Sequence, residues 1–141
     1  MENFADCYEL LANAFPKTEL RTNAEQQKLL TNKYYRLIEY RAEDKLQAVM
    51  CLWDFKNFIY LEHLAVAPEV RGQGIGKHII EQLIAEKKFI VLEVDPPLNE
   101  IARRRVVFYQ RLGFEINEFF YLQPPLRPEN SSIELKLMTY G

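Results

Sequence analysis

The sequence predicts an α/β (α+β) domain with a central mixed sheet of six to seven strands and about four flanking helices. Three observations support this prediction: strand-like apolar runs, helical periodicity between them, and a strand–helix–strand order in the middle of the chain. The chain has 141 residues, of which 48% are hydrophobic, so it is long enough for one domain with a substantial core. We therefore interpret residues 1–141 as a single domain.

The first half of the chain predicts two helices followed by three strands. Apolar residues recur at helical spacing from Asn3 to Phe15, and a second helix is predicted from Thr22 to Leu30. Strand-like runs then occupy residues 34–42, 46–55 and 58–66, and short polar turns join them. These three runs predict an antiparallel meander.

The second half predicts a parallel crossover and a return of the chain to the sheet. A helix with one apolar face is predicted over residues 75–88, and the run "FIVLEV" that follows is typical of a strand buried on both faces. With the preceding strand these elements make a βαβ unit, whose strands pair in parallel. A further helix, ended by Gly113, and two more strands around the loop 123–132 complete the prediction.

Composition and charge exclude several classes of function. The net charge of -2 and the 27% of charged residues argue against disorder and against nucleic acid as a partner. No segment has the pattern of a signal peptide or approaches the ~20 apolar residues that span a bilayer, so we expect a cytoplasmic protein without a membrane partner. Cys7 and Cys51 have no metal-type spacing, and we expect buried thiols and no metal.

A glycine-rich turn between a strand and a helix indicates a binding site for a phosphate group. Gly72, Gly74 and Gly76 occupy alternate positions directly before the predicted helix. Helix N-termini offer free N–H groups to anions, and the missing Cβ atoms let a phosphate approach the backbone. Arg71 and Lys77 flank the turn and can add charge-assisted contacts.

Two common phosphate-binding motifs do not fit this turn. A Walker-type loop needs glycine where the chain has Arg71, and serine or threonine where it has His78. The dinucleotide fingerprint that would begin at Gly72 needs glycine where the chain has Lys77, and the preceding strand follows a meander. The turn therefore belongs to a different class of phosphate site.

The segment "RGQGIG", residues 71–76, resembles motif A of the GNAT superfamily of acetyl-coenzyme-A-dependent N-acyltransferases. The segment "FYQRLGF", residues 108–114, is similar to the family's "FY-x-x-x-GF" signature and follows the expected buried strand. The resemblance covers the chain from about Leu46 to Tyr121. It implies the GNAT fold, here with the first strand reduced to residues 1–3 or absent.

The resemblance also implies which residues bind acetyl-coenzyme A. In the family, the coenzyme A pyrophosphate lies on the backbone amides of the glycine turn, and the pantetheine arm pairs with the end of the preceding strand. The matching residues of the turn are Arg71, Gly72, Gln73, Gly74, Ile75, Gly76 and Lys77. Those of the strand end are Leu64, Ala65 and Val66.

Acetyl transfer to an amine needs a proton donor for the departing thiolate and a neutral amine. Tyr109 matches the family tyrosine near the coenzyme A sulfur, which implies the donor role. Two carboxylates in apolar strands remain open as the base, Glu62 and Glu93, and each matches an acidic position of some family members. His63 is a third option, although strand alternation predicts that it points away from Glu62.

The sequence departs from the family at one cofactor position and says little about the acceptor. Many members carry asparagine seven residues before the tyrosine, where this chain has Ala102, and Asn99 is a candidate replacement nearby. Residues 103–105 are all arginine, and one of them could reach the 3′-phosphate of coenzyme A. Candidates for the acceptor wall, each also typical of a core residue or a surface loop, are Tyr34, Tyr35, Trp53, Tyr121 and Arg127.

The resulting hypothesis is an N-acetyltransferase that acts on an amine of a small molecule or peptide in a ternary complex. The alternative is a non-catalytic acyl-coenzyme-A-binding or regulatory domain of the same fold. We expect a monomer or a homodimer, with acetyl-coenzyme A and an amine acceptor as the partners.

Overall fold

The computed structural model describes residues 4–123 and 133–141, with side chains over residues 4–117 and 135–141. The α-helices of this part of the chain are α1 (Phe4–Ala14), α2 (Asn23–Leu29), α3 (Ile75–Ile84) and α4 (Glu100–Arg111). Its strands are β1 (Tyr35–Ala42), β2 (Lys45–Phe55), β3 (Phe58–Val66), β4 (Phe89–Val94), β5 (Glu115–Gln123) and β6 (Ile133–Tyr140). Short 3-10 helices, Lys17–Glu19 and Pro68–Val70, lie before α2 and α3.

The strands form one open mixed sheet, in the order β1-β2-β3-β4-β6-β5. All neighbouring pairs are antiparallel except β3 and β4, which α3 joins in parallel. The predicted meander, βαβ unit and mixed sheet with four flanking helices are therefore confirmed. The described part begins with α1, and the prediction for residues 1–3 lies outside it.

Helices cover both faces of the sheet, because apolar side chains alternate along its strands. One core contains the apolar faces of α3 and α4, represented by Ile80 and Val106. The other contains the buried side chains of α1, including Cys7 and Leu11. This second core also holds Leu20, so the segment after α1 is packed onto the sheet.

β3 contains a bulge that reverses its alternation. Leu61 and His63 pair with consecutive residues of β2, so Glu62 has no partner of its own on that strand. Leu61 lies in the core with α3, whereas Ala65 lies in the core with α1, although both numbers are odd. The bulge therefore turns the Glu62 and His63 side chains towards the same side of the sheet.

Two sequence predictions need correction in the segment from α3 to β4. The helix ends at Ile84 and not near Lys88, because Lys87 adopts a left-handed conformation with φ of 60°. β4 buries Ile90, Leu92 and Val94, but Val91 and Glu93 are only half-buried. The strand is therefore fully buried on one face, and its other face borders an open cleft.

The turns and caps follow the residue types that the sequence offers. Thr22 caps α2 by accepting a hydrogen bond from the backbone N–H of Glu25. Gly113 follows α4 with φ of 100°, as the prediction of a left-handed residue after this helix required. Glu43 and Asp44 form the two-residue turn between β1 and β2, both with positive φ.

The two cysteines are buried, as predicted, and burial raises the pKa of both thiols to about 12. Each is therefore a protonated core residue at neutral pH. Among the described helices, none has the length and apolar character needed to cross a membrane.

Candidate active site

A cleft of about 550 Å³ opens where β3 and β4 separate. The two strands pair only from Phe58 with Phe89 to Leu61 with Leu92. Beyond this point the part of β3 from Glu62 onward has no hydrogen-bonded neighbour on the β4 side within the described residues. The cleft extends from this gap to the glycine turn before α3.

The glycine turn forms one end of the cleft, and its conformation explains two of its glycines. Gly72 and Gly74 have φ of 81° and 78°, in the left-handed region that other residues rarely adopt. A Cβ atom at either position would meet nothing within 4 Å, so the surface above both is open. Gly74 caps α3 without a side-chain hydrogen bond, which leaves the first N–H groups of the helix available to a ligand.

Gly76 lies within α3 and has a different environment. A Cβ atom there would lie 3.5 Å from Phe108 Cζ and 3.7 Å from Val66 Cγ2, which are ordinary van der Waals distances. Neither space in the fold nor a positive φ therefore requires glycine here. Glycine at this position leaves the backbone of the first turn of α3 without a side chain that would cover it.

The predicted cofactor-binding residues come together along this cleft, apart from Ala65 and Gln73. Leu64, Val66 and the rest of the turn from Arg71 to Lys77 line it. Ala65 points into the core with α1, so only its main chain could contribute, and Gln73 borders a separate surface groove with His78. His78 is exposed, as predicted.

Tyr109, on α4, lines the cleft. Its ring makes edge contacts with Phe108 and Phe114, at centroid distances of 5.0 and 5.4 Å. No described side chain hydrogen bonds to its hydroxyl group. Burial raises the pKa of Tyr109 to about 12, against a small opposing effect of Arg105, so the phenol is protonated at neutral pH.

Glu62 lines the cleft but is tightly paired. Arg21 Nη1 and Nη2 donate to its two carboxylate oxygens at 2.6 and 2.9 Å. The exposed fractions of the two side chains are 5% for Glu62 and 16% for Arg21. Arg21 belongs to the segment between α1 and α2, and Tyr8 donates a hydrogen bond to its carbonyl oxygen.

Glu93 and His63 also line the cleft, near Glu62. The Tyr60 hydroxyl donates a hydrogen bond to Glu93 Oε1. His63 Nδ1 lies 3.6 Å from Glu62 Oε1, so the prediction that these two side chains point to opposite faces is wrong. The reason is the bulge at Glu62, which breaks the two-residue alternation of β3.

Sequence reasoning missed two residues that line the cleft, Glu19 and Asp95, and it considered Arg105, which also lines the cleft, only as a contact of the 3′-phosphate. Glu19 ends the 3-10 helix after α1, and Asp95 follows β4. The Arg105 guanidinium lies 5.7 Å from the centroid of the Phe15 ring, which also borders the cleft. The one available signal was Asp95 at the C-terminal end of a parallel strand, where ligand sites of α/β sheets concentrate.

A second cavity, of about 670 Å³, adjoins the glycine turn on the side of α4. Its basic lining residues are Lys77, Arg103, Arg104 and Arg111. Asn99, considered as a cofactor contact, caps α4 by accepting a hydrogen bond from the Ala102 N–H at 2.8 Å. Its side-chain oxygen is therefore used within the helix cap.

Three aromatic residues considered for the acceptor wall, Tyr34, Tyr35 and Trp53, are not among the described residues that line the cleft. Tyr35 is buried and packs edge-on against Trp53, whose ring stacks on Phe55. Tyr34 is exposed beside Phe55, at the far end of the sheet. The side chains of Tyr121 and Arg127 lie outside the described residues.

The family model described as "Acetyltransferase (GNAT) domain" matches residues 31–116 of this chain. The curated relative YjbC of Bacillus subtilis (strain 168), provisionally named as an acetyltransferase, is 29% identical over 153 aligned residues. This alignment covers 94% of the chain and 78% of YjbC. The match therefore includes the glycine turn and both strands that form the cleft.

Solved structures share the whole fold. A protein from Bacteroides thetaiotaomicron, provisionally named as an acetyltransferase of the GNAT family, has 34% identity and a TM-score of 0.91, with 99% of this chain and 81% of that one covered. A GNAT-superfamily phosphinothricin acetyltransferase from Sinorhizobium meliloti, in complex with acetyl-coenzyme A, has 14% identity and a TM-score of 0.67. The comparison covers 99% of this chain and 83% of that one. At this identity the second likeness concerns the fold alone.

Proposed function

This chain belongs to the GNAT acetyltransferase family, and from that premise we propose that it transfers an acetyl group from acetyl-coenzyme A to a primary amine of a small molecule or peptide. The transfer is direct, within a ternary complex. The observation that supports this proposal best is the cleft between β3 and β4, which joins a bare glycine turn to Tyr109 and to a group of carboxyl side chains. One cleft thus offers a phosphate site, a proton donor and candidate bases.

The proposed position of acetyl-coenzyme A follows from the groups that the fold leaves open. The pyrophosphate lies on the N–H groups of residues 72–77, where Gly72 and Gly74 leave open space above the backbone. The pantetheine arm pairs with the free edge of β3 at Leu64 and Val66, as a strand added to a sheet edge does. The phosphinothricin acetyltransferase, a structural neighbour, binds acetyl-coenzyme A, which supports this assignment by analogy.

Arg71 must change position for this pairing. Its Nε donates to the Val66 carbonyl oxygen at 3.2 Å, the acceptor that a pantetheine amide would use. Arg71 is exposed and follows the 3-10 helix Pro68–Val70, so its side chain can turn away from β3. In the proposed complex its guanidinium contacts a phosphate oxygen of acetyl-coenzyme A.

The second cavity suits the 3′-phosphate of acetyl-coenzyme A. It adjoins the turn through Lys77, and Arg103, Arg104 and Arg111 supply positive charge. Arg104 is paired with Glu100 at 2.6 Å on the open surface, where such a pair contributes little and can exchange partners. We assign the 3′-phosphate to Arg103 and Arg104.

Tyr109 is the proposed proton donor. The amine attacks the thioester carbon, the C–S bond breaks, and the phenol gives its proton to the departing sulfur. The raised pKa of Tyr109 keeps this proton in place until a thiolate forms. Both oxygens of Glu62 already accept hydrogen bonds from Arg21, so Glu62 can act as the base only if this pairing opens.

Two measurements test the proposal. Acetyl-coenzyme A should raise the melting temperature in proportion to the logarithm of its concentration, since it binds the folded chain. Release of free thiol from acetyl-coenzyme A in the presence of a panel of amines and peptide N-termini should identify the acceptor. An unchanged melting temperature at millimolar acetyl-coenzyme A would contradict the cofactor assignment.

A further inference from the structure

Arg105 is a half-buried arginine that lines the cleft without pairing with any described carboxyl group. It forms neither an ion pair nor a hydrogen bond with the residues that the structure describes. It is also not among the residues that line the basic second cavity, which leaves the 3′-phosphate to Arg103 and Arg104. A half-buried guanidinium group without an acceptor has lost hydration that nothing in the described fold replaces, so a ligand of the cleft is its expected partner.

Arg105 borders the part of the cleft that the proposed cofactor leaves open. Arg105 and Tyr109 are four residues apart on α4 and therefore share a face of the helix. Phe108 lies next to the glycine turn, since a Cβ atom at Gly76 would lie 3.5 Å from its Cζ atom. Arg105 is thus about one helical turn further from the glycine turn than Tyr109 is. Because the proposed cofactor extends from that turn to Tyr109, Arg105 lies on the acceptor side.

An aromatic ring holds the Arg105 guanidinium group in place. The group lies over the Phe15 ring, 5.7 Å from its centroid, which is within the range of a cation–π contact. The Phe15 ring packs edge-on against the buried His63 ring, with 4.7 Å between the two centroids. Such a contact orders the side chain and uses no hydrogen-bond acceptor, so the Arg105 N–H groups remain available to a ligand.

Acidic side chains share the cleft with Arg105. Glu19, Glu93 and Asp95 line it as well. Burial raises the pKa of Glu19, and the positive charge of Arg105 opposes this increase, as expected for two groups that lie near each other without pairing. The cleft therefore places one permanent cation among several acidic groups. This arrangement suits a ligand that carries charges of both signs.

We propose that Arg105 binds a carboxylate of the acceptor, and that the acceptor is a small amino acid whose amine and acid groups are a few bonds apart. The inference rests on the proposed acetyl transfer. A guanidinium group donates two parallel hydrogen bonds to a carboxylate, which fixes the position and the orientation of that carboxylate. The amine of the same molecule then lies beside Tyr109, about 5.4 Å further along α4, which is one helical turn.

Binding to the coenzyme A complex tests this site without turnover. The probes are glycine, β-alanine and 4-aminobutanoate, and each is compared with its primary amide, which has the same length and no negative charge. Calorimetry should show that at least one of the acids binds about tenfold more tightly than its amide, because the amide loses the charge-assisted pair of hydrogen bonds. Equal affinities of each acid and its amide, or no binding of any acid, would overturn the inference.

Variants of Arg105 test whether this residue causes the preference for the acid. Arg105→Met keeps the length of the side chain and removes its charge, so it should abolish the preference and leave the affinity for coenzyme A unchanged. Arg105→Lys keeps the charge and should retain part of the preference. The matched control is Arg36→Met, which removes an arginine that pairs with Asp54 outside the cleft and should keep the full preference. A preference that persists in Arg105→Met contradicts the inference.

Rates with the same acceptors distinguish this inference from the proposed function. Arg105→Met should raise KM for the acid far more than it lowers kcat, and it should leave the rates with the amide unchanged. An equal loss of kcat with the acid and with the amide would place Arg105 in the chemical step and overturn the inference. Binding of an acid that depends on Arg105, without any acetyl transfer, would contradict only the proposed function.

Discussion

Glu62 and Glu93 are both glutamates in apolar strands, yet they have different partners, which are Arg21 for Glu62 and the Tyr60 hydroxyl for Glu93. The sequence left both open as the base, because a single strand does not show which side chains reach it from elsewhere. Arg21 reaches Glu62 because the segment between α1 and α2 packs across the cleft side of the sheet. Glu62 is therefore best explained as the anchor of that segment.

Removing one partner of this buried pair should destabilise the protein. Arg21→Met leaves the Glu62 carboxylate buried without its cation, and we expect a loss of about 3 kcal/mol in the free energy of unfolding. The matched control is Arg104→Ala, which breaks a surface pair whose arginine is 76% exposed and should cost less than about 0.5 kcal/mol. Urea denaturation of both variants measures the difference. Equal stability of the two would show that the Arg21 pair has no structural role.

Tyr109→Phe removes the hydroxyl group and keeps the aromatic ring. The edge contacts with Phe108 and Phe114 involve the ring, so the fold and coenzyme A affinity should be retained. Loss of the proton donor should lower kcat by about 10²-fold. Steady-state kinetics measures kcat, and calorimetry measures the affinity for coenzyme A. An equal loss in kcat and in affinity would contradict the donor role of Tyr109.

At the scale of elements, the glycine turn shows how the same residue type serves two purposes. Gly72 and Gly74 have positive φ, which the backbone needs to enter α3. Gly76 has helical geometry and room for a methyl group, so the fold does not need it. The sequence pattern offered one common explanation for the three glycines, whereas the structure shows a backbone reason for two of them. Close approach of a ligand is our proposal for the third.

Substitution of these glycines should separate folding from cofactor binding. Gly76→Ala should leave stability unchanged or slightly higher, since alanine favours a helix by up to about 1 kcal/mol over glycine, yet it should weaken coenzyme A binding. Gly74→Ala should lower stability by about 1 kcal/mol because of its left-handed φ. Thermal melting with and without coenzyme A gives both quantities. Unchanged coenzyme A affinity in Gly76→Ala would contradict the proposed position of the pyrophosphate.

The order of elements could be predicted from the sequence, and the bulge in β3 could not. Apolar alternation, helical periodicity and Gly113 each mark a local element, and all lie within short windows. The bulge at Glu62 depends on how β2 pairs with β3. The residue types on either side of it are typical of a regular strand and give no sign of the bulge. The mistaken direction of His63 came from this one unpaired residue.

At the scale of the whole molecule, the candidate site combines parts that are far apart along the chain. The glycine turn and Tyr109 could be predicted because each belongs to a local motif. The position of Glu19 and Asp95 in one cleft could not be predicted, because a 3-10 helix after α1 and the end of β4 meet only in the folded protein. This part of the site therefore required the structure.

The Glu19 carboxyl group should affect the stability of the whole domain with pH. Burial, and after it the neighbouring Asp95 carboxyl group, raise the pKa of Glu19 from 4.5 to about 7 in the folded protein. The contribution of Glu19 to stability is therefore most favourable below about pH 4.5 and is lost as the pH rises through 7. Glu19→Gln, which cannot ionise, should therefore raise the melting temperature at pH 8 relative to the unsubstituted protein. At pH 5 the two melting temperatures should be close. A stabilisation of the same size at both pH values would contradict the raised pKa.

A crystal structure of the coenzyme A complex would show whether acetyl-coenzyme A binds in the cleft between β3 and β4. We expect the pyrophosphate on the N–H groups of residues 72–77, the pantetheine arm along Leu64 and Val66, and the sulfur beside the Tyr109 hydroxyl. Coenzyme A bound elsewhere, or bound with its sulfur away from Tyr109, would contradict it.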